Sequence, residues 1–142
     1  MELKQKLLKL IRKSELGCFA TVTEDNKPWV RYVSFTISDD MTIRFCTFAN
    51  SRKAKQIKKN PEVHMTCGVT NPKKWRDYFQ IQGLATVTQK KSEKEAFWNE
   101  EIAQYFNGPN DPKYAVVIVK PYRIEYWNIE KMLEPEILNI ME

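Results

Sequence analysis

Residues 18–37 read CFATVTEDNKPWVRYVSFTI. Two runs rich in β-branched and aromatic side chains flank the polar break Asp25-Asn26, which is the pattern of a β-hairpin. Toward the C terminus, MTIRFCTF (residues 41–48) sets Met41, Ile43 and Phe45 on one face against Thr42 and Arg44 on the other. That period of two makes a third strand after a turn at Ser38-Asp39-Asp40. Residues 51–59 read as a short helix with Ala54 and Ile57 as its apolar face, Asn50 or Ser51 as its cap and Asn60-Pro61 as its stop. EVHMTCGV, WRDYFQIQGLATVTQ and KYAVVIVKPYRIEYW give a fourth, fifth and sixth strand. In the fifth, Gly83 marks a bulge or a close backbone contact; in the sixth, the VVIV run is expected to be buried on both faces. Leu3, Leu7, Leu10 and Ile11 recur at helical spacing before the hairpin, and residues 94–105 read as another helix. The expected architecture is mainly β with peripheral helices, its six mostly antiparallel strands forming a closed or split β-barrel.

Nothing low in complexity divides the 142 residues, so one domain is expected: a barrel over residues 1–128 and an acidic tail of the same domain over 129–142. The net charge of +5 favours anionic partners, but the basic residues gather locally, in the first 13 positions, in 52–59 and in 73–76. Lysines interrupt the apolar residues of MELKQKLLKLIRKSE, so neither a signal peptide nor a membrane span is expected, and the expected location is cytoplasmic. Cys18, Cys46 and Cys67 each sit in a strand-like run and read as reduced, packed thiols. With His64 as the one histidine, no His/Cys metal site is expected.

Arg31 is the first residue with a chemical question attached, because it shares a strand face with Val33, Phe35 and Ile37. A guanidinium on an apolar face needs an anion or a carboxylate, since an unpaired buried charge costs several kcal/mol. Asp39, Glu62 and Asp77 are possible internal partners, and the strand pattern alone does not choose between them and a ligand. The stretch CTFANSRKAKQIKKN (residues 46–60) tips the balance: a strand delivers Thr47, and Ser51, Arg52 and Lys53 open a helix. A helix N terminus with a hydroxyl, a guanidinium and an ammonium suits a phosphate dianion. Lys55, Lys58 and Lys59 read as the solvated back of that helix.

Taken in order, FATVTEDNKPWVRYVSF, IRFCTFANSRKAKQIKKNPEV, FQIQGLATV and KPYRIEYWN resemble the pyridoxamine 5'-phosphate oxidase-like family of flavin-binding split barrels over residues 3–128. Its short single-domain members, of the general stress protein type, are the most similar. The resemblance implies a homodimer that binds flavin mononucleotide (FMN) at the subunit interface. On that basis Arg31 approaches the phosphate or ribityl chain, and Tyr32, Val33 and Ser34 line the isoalloxazine ring, partly through backbone groups. Thr47 touches the ring or ribityl chain, and Ser51, Arg52 and Lys53 hold the phosphate. Tyr78 falls where some members carry a flavin-contacting glutamine, and Trp127 occupies an aromatic position that reaches the cofactor in the dimer. Two departures matter. The segment NIEKMLEPEILNIME contains no arginine or histidine where the true oxidases carry Arg-x-His, so oxidation of pyridoxamine phosphate is not expected. Tyr32 also stands where a proline is common.

The implied activity is an FMN-dependent oxidoreductase acting on a small molecule, with the chemistry supplied by the flavin ring. Other readings on the same fold are a deazaflavin or haem protein, or a flavin-binding stress protein without turnover. A nucleic-acid-binding barrel needs aromatics interleaved with the lysines, and the basic helix has none.

Overall fold

The structure, a computed structural model, describes residues 2–140. Helix α1 (Leu3–Ile11) packs Leu7 and Ile11 fully into the core. The hairpin forms as the alternation dictates: β1 (Leu16–Val22) pairs antiparallel with β2 (Pro28–Ser34), with Phe19 opposite Arg31 and Thr21 opposite Trp29. Asn26 adopts φ 61°, a left-handed conformation that asparagine tolerates in a tight turn. After β2 the chain crosses through buried Phe35 to β3 (Thr36–Ile37), which pairs with β4 (Ile43–Phe48). Helix α2 (Arg52–Lys59) and β5 (Glu62–Cys67) follow, then β6 (Asp77–Thr88) and α3 (Lys91–Phe97). A 3₁₀ turn (Ile102–Gln104), the long β7 (Tyr114–Asn128) and β8 (Glu136–Asn139) complete the chain.

All eight strands belong to one sheet in the order β2-β1-β5-β6-β7-β4-β3, with β8 added to β7. The sheet curls so that its two ends meet at Phe35, where the chain passes from one edge to the other. β2 is laddered only to β1, while β4 is laddered to β7 and, over Ile43 and Arg44, to β3. The free edge of β2 and residues 45–48 of β4 therefore bound a split rather than a closed seam. Phe19 and Phe45 close the interior beneath it, edge to face with centroids 4.8 Å apart. Phe45 is 1% exposed, and removing such a ring would cost about 3–5 kcal/mol.

Two expectations are corrected. Among the described residues there are eight strands rather than six, because Phe35 separates β3 from β2 and because the tail returns as β8. The Ile124–Leu138 and Tyr126–Glu136 register pairs fasten β8, helped by a 2.9 Å ion pair from Lys6 to Glu136. The helix expected over 94–105 breaks instead: Trp98 is extended at the end of α3, and Asn99 caps the 3₁₀ turn through Oδ1, which accepts from the Ile102 N–H at 3.1 Å.

Other expectations hold. The register of β6 on β7 shifts between Gln82 and Gly83, and a Cβ on Gly83 would come within 2.9 Å of Val119. Of the VVIV run, Val116, Val117 and Val119 are buried and Ile118 is half-buried, because Ile102 and Phe106 cover the outer side of β7. Gly68, after β5, has φ +120°, and a side chain there would run into the Asp77 carbonyl oxygen.

Candidate anion-binding site at the barrel split

Strand β4 brings Thr47 to the start of α2, where Ser51 caps the helix by accepting from the Ala54 N–H at 3.2 Å. The Thr47 and Ser51 hydroxyls are 2.9 Å apart, and Lys53 Nζ donates to Thr47 Oγ1 at 3.0 Å. From the other side of the split, Arg31 Nη1 donates to Thr21 Oγ1 at 2.8 Å and to the Trp29 carbonyl at 3.1 Å. Its Nη2 donates to Gln56 Oε1 at 3.2 Å, and Gln56 Oε1 also accepts from Thr21 at 2.6 Å. Arg52 lies over the Trp29 ring at 5.4 Å, a cation–π contact that turns its guanidinium toward the hairpin. Arg31, Thr47, Ser51, Arg52 and Lys53 thus converge from three elements.

The carboxylates expected as internal partners of Arg31 are engaged elsewhere. Asp39 pairs with Arg12 at 2.6 Å, Glu62 accepts from Tyr122 at 2.8 Å, and Asp77 accepts from Asn128 at 3.1 Å. Among the described residues Arg31 makes no ion pair. Its partners satisfy hydrogen bonds without cancelling charge. Burial, and after it the positive charge of Arg52, lowers the pKa of Arg31. Lys53 is lowered likewise, first by burial and then by Arg31. A site where cations disfavour one another is one that an anion would relieve. The first turn of α2 carries no acidic residue, so the positive end of the helix adds to this field. Lys58 and Lys59 are exposed in the last turn, where they complement the negative end.

The remaining expected residues do not join this cluster. Val33 points into the core, so only its backbone faces the split. Tyr32 and Ser34 alternate to the opposite face and are exposed, Tyr32 by 74%. On that outer face Tyr78 lies opposite Trp127, their rings 6.3 Å apart and nearly parallel, while Trp75 meets Tyr78 edge-on at 6.1 Å. Tyr32, Trp75 and Tyr78 line a cavity of about 710 Å³ with Leu16, Cys18 and Thr66. Trp127 Nε1 is buried without a hydrogen-bond partner among the described residues.

Thr21, Gln56 and Trp29 escaped the sequence reading. Gln56 follows Lys53 by three positions and Arg52 by four, so helical spacing could have flagged it. Thr21 shares the inward face of β1 with Phe19, a place where a buried hydroxyl needs a partner. The thiol of Cys46 is half-buried against the cluster around Tyr114, and burial pushes its pKa up, as expected of a packed cysteine. His64 is half-buried and lowered by burial, with Glu125 opposing the shift. No three His, Cys, Asp or Glu side chains among the described residues could hold a metal together.

Known proteins share this arrangement of elements. General stress protein 26 of Bacillus subtilis (strain 168) is 29% identical over 127 residues, which span 89% of each chain. The crystal structure of General Stress Protein 26 from Bacillus anthracis superposes with a TM-score of 0.82 and 31% identity, over 99% of this chain and all of that one. A heme binding protein from Mycobacterium smegmatis has the same fold at a TM-score of 0.76 and 10% identity, over 98% of this chain and 58% of that one. The sequence pattern of pyridoxamine 5'-phosphate oxidase matches residues 3–128, a span that contains both banks of the split, and the chain is a member of that family.

Proposed function

We propose that the protein binds FMN, with the phosphate held between Arg31 and the start of α2, and works as a flavin-dependent oxidoreductase on a small molecule. The observation that carries the reading is the half-buried Arg31, hydrogen-bonded to neutral groups only and facing Arg52 and Lys53. The Ser51 hydroxyl, the first N–H groups of α2, Arg52 and Lys53 fit a phosphate dianion in number and charge. Bound there, the flavin would supply hydride and electron transfer. The chain itself anchors the phosphate, and the unladdered edge of β2 offers main-chain groups at Tyr32, Val33 and Ser34 to a planar ring.

In one copy the basic cluster and the Tyr78–Trp127 pair lie on opposite faces of the sheet, which favours a homodimer in which Tyr78 and Trp127 reach the cofactor of the partner. The exposed Leu16, Val30 and Tyr32 of the outer face are what such a contact would cover. Pyridoxamine phosphate is not the proposed substrate. After Trp127 the tail turns back as β8 beside α1, and it offers no arginine or histidine with which to grip a phosphate ester.

The test is an absorbance spectrum of the protein after addition of FMN and removal of the excess. Retained flavin bands in about one equivalent per chain support the reading, and a protein that stays colourless refutes it. Sedimentation across a range of concentrations tests the dimer; a monomer throughout removes the shared site.

A further inference from the structure

Arg31 and Arg52 are each held by groups that carry no charge. Arg52 rests on the Trp29 ring, and Arg31 is gripped by an amide, a hydroxyl and main-chain carbonyls. The amide belongs to Gln56, one turn beyond Arg52 and Lys53 on α2. Ala54 and Ile57, 0% and 2% exposed, fasten that turn to the core, so the Gln56 side chain starts from a fixed point. Its Oε1 takes two hydrogen bonds, from Thr21 Oγ1 at 2.6 Å and from Arg31 Nη2 at 3.2 Å. Buried Thr21 closes the ring by accepting from Arg31 Nη1 at 2.8 Å. A guanidinium has donors only, so the atom of Gln56 that faces it is the oxygen, and the one hydroxyl proton of Thr21 must go to Gln56. The three side chains therefore have a single arrangement.

A glutamate in place of Gln56 would have the same length and present the same acceptor to Thr21 and Arg31. It would also pair with Arg31 and lie one helical turn from Arg52, Lys53 and Lys59, all of them cations. For the fold alone the carboxylate is therefore at least as good a residue. For an arriving anion it is the worse one, because the charge of Arg31 would already be cancelled.

We infer that Gln56 is a positioning residue of the anion site: it aims Arg31 across the split and, being neutral, leaves the guanidinium's charge to a bound phosphate. The preference for a phosphorylated ligand over its unphosphorylated counterpart is then set in part by an amide standing behind the arginine. Naming that phosphate as FMN's rests on the proposed function; the neutral hold on Arg31 does not.

Gln56→Glu tests it in three ways. In urea, the flavin-free variant should unfold at a higher midpoint than the unmodified protein, and the gain should shrink when Arg31→Gln is also present. Inorganic phosphate at millimolar concentration, compared with chloride at matched ionic strength, should raise the thermal midpoint of the unmodified protein and leave that of Gln56→Glu unmoved. In titrations, Gln56→Glu should weaken FMN at least about tenfold, the scale of one opposing charge close to the phosphate, and riboflavin by less than about twofold. Gln56→Ala frees Arg31 without opposing the anion. It should weaken FMN only about threefold while lowering the urea midpoint, so stability and affinity move together in one variant and apart in the other.

A lowered urea midpoint in Gln56→Glu, the same shift with and without Arg31, or no effect of phosphate on the unmodified protein would overturn the inference. So would equal losses of FMN and riboflavin, or an FMN loss that follows stability across both variants, which would make Gln56 a structural residue only. Failure of the unmodified protein to take up FMN defeats the proposed function alone, because the urea and phosphate measurements still read the hold on Arg31.

Discussion

The basic cluster at the split and the aromatic surface on the outer face are incomplete in opposite ways. At the split almost every polar atom has a partner within the chain: Arg31 is held by Thr21, Gln56 and main-chain carbonyls, and Lys53 by Thr47. What is missing there is negative charge. On the outer face the charged side chains are paired, as Arg123 is with Glu125, but Tyr32 is 74% exposed and Val30 beside it 63%. What is missing there is surface. Hydrogen bonds can be satisfied locally without neutralising a charge, so an uncompensated cation points to an anionic ligand. Stacked aromatics beside a cavity point instead to something broad and flat, which we propose to be the partner copy and its cofactor.

Substitutions should separate the two regions. The largest effect is expected at the split. Arg52→Ala with Lys53→Ala should weaken FMN binding by about 3 kcal/mol, roughly a hundredfold, and riboflavin binding by less than about threefold, because only FMN carries the phosphate. Equal losses measured by fluorescence titration would break the assignment. Next is Gly68→Ala beside the outer cavity, which forces a side chain into φ +120° and against the Asp77 carbonyl. It should cost about 2 kcal/mol in urea unfolding while leaving the fold of the basic cluster intact. A stability loss below about 0.5 kcal/mol would contradict the strain. Ser51→Ala removes the α2 cap and should cost about 1 kcal/mol of stability and weaken FMN as well, joining the local structure of the split to its ligand.

Trp127→Phe keeps the stack on Tyr78 but deletes the unpartnered donor. Unfolding of the flavin-free protein should change by no more than about 0.5 kcal/mol, while dimerisation or FMN affinity falls. The smallest effect is in pH. Lys53 has its pKa lowered from the usual 10.5, and a bound phosphate favours its charged form. Affinity for FMN should therefore be complete well below that value and decline as pH rises through the lowered pKa, beginning earlier than an ordinary lysine would dictate. In the Lys53→Ala variant this decline should disappear.

The basic cluster was legible in the sequence because its parts are local: Ser51, Arg52 and Lys53 open a helix, and a period of two aims Arg31 inward from a neighbouring strand. Thr21 and Gln56 were not, because their role appears only when β1 and α2 lie against β2. The hairpin and the strand faces followed from alternation, and the burial of Val116, Val117 and Val119 from a continuous apolar run; that β4 pairs with β7 instead of extending the hairpin did not. β8 escaped because four residues of tail become a strand only when an unpaired length of β7 accepts them. The broken helix escaped for the reverse reason. Residues 94–105 have helical composition, but Asn99 captures the Ile102 N–H and starts a new turn. Which residues share a face was readable throughout; which faces meet across the split was not.

The most direct measurement of the central claim is a paired titration of the unmodified protein with FMN and riboflavin under identical conditions. A phosphate held by Arg31, Ser51, Arg52 and Lys53 predicts that FMN binds at least about a hundredfold more tightly, given charge-assisted hydrogen bonds of about 1.5–3 kcal/mol each. Equal affinities for the two would contradict the claim.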